Sequence, residues 1–142
     1  MAGLLIVGMN NPQSLEALST MPRGGAGHRL WLMATARTGV SEQDWLQNVD
    51  RVNLCGGEWD PFEARRAWGQ GVVSTDRYDA IMFLGNDVVN ATGLRLPPIG
   101  RRGIYWVLPH PSGRNRWYNV ELNKDAATLL LRDFYNLRLE KC

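Results

Sequence analysis

The chain is poor in the residues that most metal and cofactor chemistry needs. It has two cysteines, Cys55 and Cys142, and two histidines, His28 and His110, in 142 residues. The cysteines lack metal-ligand spacing, and two thiols are too few for an iron–sulfur cluster held by four thiolates. Zinc held by His28, His110, Cys55 and nearby acids has no spacing to support it. Lysine is almost absent, with only Lys124 and Lys141. A Schiff-base mechanism therefore has few candidate amines. No apolar run is long enough to span a membrane, and the short N-terminal one lacks the basic flank of a signal peptide. The expectation is an intracellular protein with free thiols, no metal, no cofactor and no membrane partner.

Familiar nucleotide-binding signatures are missing too. Gly8-Met9-Asn10-Asn11-Pro12 lacks the glycines of the dinucleotide fingerprint, and no P-loop occurs. Gly24-Gly25-Ala26-Gly27 opens a helix and offers backbone N–H groups to a phosphate, but reads equally well as a plain turn. Ser112 lies two residues from His110, yet no Gly-x-Ser-x-Gly elbow is present.

What is present reads as an ordinary folded domain. The hydrophobic share is 44%, the charged share 21% and the net charge +2, which fits one globular domain over residues 1–142. Net charge gives no nucleic-acid footprint. A local one exists in Arg95, Arg101, Arg102, Arg114 and Arg116, with no acid in that stretch. Taken alone, such a cluster is a solvated loop face.

Four short apolar runs read as buried strands: Leu4–Val7, Arg51–Cys55, Asp79–Leu84 and Gly103–Leu108. Helical segments fall between them: Gln13–Thr20, His28–Arg37, a turn opened by Ser41 with Asp44, and one opened by Asp60-Pro61 with Glu63 running to about Gly71. A short helix capped by Asn86 or Asp87 ends near Gly93. Leu96–Gly103 reads as a loop. A last amphipathic helix, about Leu122–Leu139, puts Ala126, Leu129, Leu130 and Phe134 on one face. The alternation predicts a parallel four-stranded sheet with helices on both faces.

Two of these strands empty into polar, proline-kinked loops. The first gives Gly8-Met9-Asn10-Asn11-Pro12, the last Leu108-Pro109-His110-Pro111-Ser112-Gly113-Arg114-Asn115-Arg116. In open α/β sheets ligands bind beyond the carboxyl ends of the strands. These two segments resemble the first and last motifs of the uracil-DNA glycosylase superfamily, a Gly-x-Asn-Pro type segment and a His-Pro-Ser segment. The intervening order agrees, with Asn53 on the second strand and Leu84-Gly85 closing the third. Asn11 intervenes before Pro12, where the family has proline directly after its asparagine.

The resemblance implies a three-layer αβα sandwich around a four-stranded parallel sheet in the order 2-1-3-4. It implies a monofunctional glycosylase that hydrolyses the N-glycosidic bond of uracil or a modified pyrimidine in DNA, with DNA as partner and a flipped base as substrate. His110 would donate to the base oxygen as negative charge develops there, a contribution of about 2.7–4 kcal/mol for one donor. Asn10, with Asn11 as its rival, would orient the attacking water. Asn53 would read the base edge, offering both an acceptor and a donor. Ser112, Gly113, Arg114 and Arg116 would contact phosphates, with Arg114 or Asn115 as the wedge in the vacated stack. No aromatic lies between Pro12 and Leu30, so stacking falls to Trp31, Met21 or Trp117, and a 5-methyl group meets no bulky ring beside the first motif. Two other readings stand beside this one: an enzyme of the same fold acting on a free nucleotide or hypermodified base, and a non-catalytic module that binds bases or a protein.

Overall fold

The computed structural model describes residues 3–10, 17–18, 20, 25–35, 40–71, 74–112 and 115–139. The elements, in chain order, are β1 (Leu4–Gly8), α1 (Ala26–Thr35), α2 (Glu42–Asn48), β2 (Asp50–Asn53), α3 (Pro61–Gly69), β3 (Ala80–Leu84), α4 (Asn86–Thr92), β4 (Gly100–Arg102), β5 (Tyr105–Leu108) and α5 (Glu121–Asn136). They form an α/β fold on one five-stranded mixed sheet in the order β2-β1-β3-β5-β4. The first four strands in that order pair in parallel. The fifth, β4, is antiparallel to β5.

The expected four-stranded sheet is therefore corrected to five. The extra strand comes from the segment read as a loop, where Pro97, Pro98, Gly100 and Gly103 mask it. Arg102 pairs with Tyr105 across a two-residue turn in which Gly103 has φ +62°. A glycine at the first central position is what a primed hairpin turn requires. Arg101 and Arg102 are exposed on this outer strand, where charge discourages further strand pairing.

Side chains alternate through the central strands, and both faces are covered. Leu4, Ile6, Met82, Leu84, Trp106 and Leu108 pack with residues of α1, α2 and α5. Leu5, Val7, Ile81, Phe83 and Val107 pack with residues of α3 and α4. That double burial is why β1 and β3 are continuously apolar. β2 forms the other edge and is only partly buried.

Local capping explains the helix starts. Ser41 accepts from the Asp44 N–H at 3.1 Å and opens α2. The Asp60 carboxylate accepts from the N–H groups of Phe62 and Glu63, with Pro61 in the first turn of α3. Asp60→Ala is expected to lower stability by about 1 kcal/mol, measurable as a shift in urea midpoint at unchanged slope.

Two helix readings are corrected. Neither Asn86 nor Asp87 caps α4. Gly85 holds the N-cap position, and both polar side chains lie in the first turn. In α5 the buried residues are Ala127, Leu131, Phe134 and Tyr135, whereas Ala126 is exposed and Leu129 is 62% exposed. The Leu129-Leu130-Leu131 triplet allows neighbouring registers. The rings choose between them: Phe134 meets Trp106 edge-on at 5.6 Å and Tyr135 meets Trp45 at 5.2 Å. The Gln13–Thr20 helix lies largely outside the described residues.

Candidate active site

Parallel pairing gives β1, β2, β3 and β5 a common carboxyl edge. Asn10 lies two residues past β1, Asn53 ends β2, Gly85 follows β3, and His110 lies two residues past β5. A cleft of about 490 Å³ opens there. Met9, Asn86, Asp87, His110, Asn115 and Trp117 contribute to its walls. The turn before β4 adds Pro98 and Ile99, so the unexpected strand anchors one wall.

His110 is held from several directions. Its backbone follows Pro109 and precedes Pro111, whose fixed φ values restrict the loop. The Asn115 Nδ2 donates to the His110 carbonyl at 2.9 Å, and the buried Tyr118 hydroxyl donates to the Pro109 carbonyl. Burial pushes the Tyr118 phenol well above its ordinary pKa, so it remains a donor. Gly85 packs against the histidine so closely that a Cβ there would lie 3.2 Å from the His110 Cβ.

The imidazole itself has a defined tautomer. The backbone N–H of Ser112 donates to Nδ1 at 3.2 Å. A peptide N–H can only donate, so Nδ1 must be the acceptor and the ring proton sits on Nε2. Burial lowers the His110 pKa from its ordinary value, with the Asp87 charge opposing that effect. The ring is thus a neutral donor at neutral pH.

The other predicted residues divide. Ser112 supplies the N–H just described. Asn115 is engaged at both ends of its amide, since its Oδ1 accepts from the Trp117 N–H at 3.1 Å. Arg116 is exposed at the start of the 3-10 turn Arg116–Asn119. Asn11, Gly113 and Arg114 lie outside the described residues, as does Met21. Of the stacking candidates, Trp117 lines the cleft, while Trp31 packs against the core.

Asn10 and Asn53 share the edge with His110 but do not line its cleft. The β1–β2 ladder continues past both strands, with Leu54 N–H to Gly8 O at 3.2 Å and Cys55 N–H to Met9 O at 3.0 Å. That extension turns Asn10 toward the loop after β2, where its Nδ2 donates to the Gly57 carbonyl at 2.7 Å. Asn53 sits under Gly8, so close that a Cβ at Gly8 would lie 2.5 Å from its Oδ1. That amide oxygen is buried and has no hydrogen-bond partner among the described residues.

Sequence reasoning missed Asp87. Its signal was an acid directly after a buried strand ending in Leu84-Gly85, on the ligand-facing edge, read there as a capping residue. A larger cavity, about 700 Å³, lies behind the same loop and involves His28, Arg29, Leu32, Pro111, Tyr118 and Lys124. It contains neither His110 nor Asp87. The smaller cleft is the one that both the oriented donor His110 and the acid Asp87 line. Among the described residues no group of three or more His, Cys, Asp or Glu is placed to hold a metal ion, and no helix is long and apolar enough to cross a membrane.

A comparison with protein-family models finds no match, and a comparison with curated proteins finds no significant match.

Proposed function

We propose that the protein is a monofunctional DNA glycosylase that hydrolyses the N-glycosidic bond of uracil or a modified pyrimidine, akin to the uracil-DNA glycosylase superfamily. The observation that carries this reading is His110, a neutral imidazole with Nδ1 occupied by the Ser112 N–H. Its remaining proton, on Nε2, is a preorganised donor for an oxygen that gains charge when the base leaves.

The order of strands supports a base lying across the ends of β1 and β3. One edge of a base in the cleft then meets His110. Trp117 offers an aromatic wall. Asn115, committed to the His110 carbonyl and the Trp117 N–H, acts as a loop brace, which leaves the wedge role to Arg114.

The test is incubation with single- and double-stranded oligonucleotides containing uracil or 5-modified pyrimidines, followed by alkali. Alkali-labile breaks at the target base are expected. A gel shift without breaks would favour the binding module, and release of base from free nucleotides alone would favour the free-nucleotide enzyme. Grip on DNA has its own measurement. If Arg116 neutralises one phosphate, Arg116→Ala should flatten log affinity against log salt by about 0.9 on duplex and about 0.7 on single strands. An unchanged slope would remove Arg116 from the interface.

A further inference from the structure

Hydrolysis needs a water as well as a leaving base. The water's oxygen must bond to C1′ of the sugar as the C1′–N bond breaks, and its proton must go to an acceptor. An asparagine can orient such a water but cannot take its proton. Asn10 is also drawn aside, with its Nδ2 donating to the Gly57 carbonyl at 2.7 Å.

The cleft itself supplies an acceptor. Asp87 is the charged side chain among the described residues that line it. It stands in the first turn of α4, immediately beyond β3 and its Gly85 turn, and is exposed. No hydrogen bond or ion pair ties its carboxylate to another described residue. It is near enough to the imidazole for its charge to act on it. β3 lies between β1 and β5 in the sheet, so Asp87 approaches a bound nucleotide from the strand between the two recognised motifs.

We infer that the Asp87 carboxylate, rather than Asn10, orients and deprotonates the attacking water while His110 holds the departing base. The inference rests on the glycosylase reading and names the base that reading requires. The balance closes within the site. The water oxygen bonds to C1′ and its proton passes to Asp87. The C1′–N electron pair leaves with the base, whose oxygen is held by His110 Nε2–H. The base then takes a proton from solvent and Asp87 releases one. Before the water attacks, the carboxylate also faces the positive charge that develops on the sugar.

The experiment is single-turnover cleavage of a uracil-containing oligonucleotide by wild type, Asp87→Asn, Asp87→Glu and Asn10→Ala, with oligonucleotide affinity measured in parallel. Asp87→Asn should slow cleavage by about 10²–10³-fold with affinity equal or tighter, because a negative charge near the phosphates is removed. Asp87→Glu should recover part of the rate. Asn10→Ala should lose less than about tenfold, as expected of a residue outside the proton transfer. Asparagine is isosteric with aspartate and the position is exposed, so the variant should keep the wild-type thermal midpoint. An active wild type with Asp87→Asn near the wild-type rate would overturn the inference alone. Loss on Asn10→Ala in place of Asp87→Asn would return the water to the first motif. A wild type that cleaves no oligonucleotide would overturn the glycosylase reading and this inference together.

Discussion

His110→Ala should slow cleavage by about 10²–10³-fold and leave oligonucleotide affinity nearly unchanged. The Nε2 donor meets its full partner only when charge has moved onto the base, so its removal acts on the transition state and little on the bound ground state. The tautomer gives this expectation a pH signature. Protonating the ring would put a second donor on Nδ1, facing the Ser112 N–H that already points there. Burial opposes the charged form as well, and within the cleft only Asp87 favours it among the described lining residues. The folded pKa therefore lies below the ordinary value of about 6.5. Activity carried by the neutral ring is complete above that folded pKa and is lost as pH falls through it. A rate that instead rose on acidification toward pH ~6 would mean an imidazolium is the working form. Equal losses of affinity and rate in His110→Ala would make the residue a structural one.

Stability should follow the same ring with the same sign. The unfolded chain takes up its histidine proton near pH ~6.5, the ordinary value, before the folded chain does. Folding free energy tied to His110 is thus fully present above that pH and diminishes as pH falls toward the folded pKa.

The strands that build the site could be read from the chain because their physics is local. Leu4–Val7 and Ala80–Leu84 are apolar on both faces, which only a doubly covered strand explains. Asp60-Pro61 signals a helix start through groups within three residues. What escaped was set by distant partners. β4 is three residues long and exists because β5 pairs with it. The face of α5 is chosen by Trp106 and Trp45, which lie on other elements. Asp87 and His110 share one cleft because β3 lies beside β5, and no spacing in the chain encodes it. Asn115 reads from the sequence as a candidate wedge, but the loop folds back and uses both ends of its amide.

The same cross-strand closeness makes Gly85 a sensitive position. Its backbone has φ +95° and ψ 161°, a region open essentially to glycine alone. Its N–H donates to the Leu108 carbonyl at 2.8 Å, so the ladder resists rotating it to relieve strain. Gly85→Ala should therefore cost about 1–3 kcal/mol from the backbone alone, lowering the thermal midpoint by roughly 3–10 °C. The new methyl would also stand 3.2 Å from the His110 Cβ. A Cβ cannot swing away as a side-chain tip can, so the backbone at His110 must shift by a few tenths of an ångström. Misplacement of a positioned donor should slow cleavage by about tenfold to a hundredfold. Measured well below the lowered midpoint, that loss should appear in the single-turnover rate with oligonucleotide affinity retained. Asn86→Ala, one residue on and in the ordinary helical region, should show neither the drop in midpoint nor the His110 displacement. If Gly85→Ala kept both the wild-type midpoint and the wild-type rate, the tight β3–β5 junction could not be what aims the imidazole.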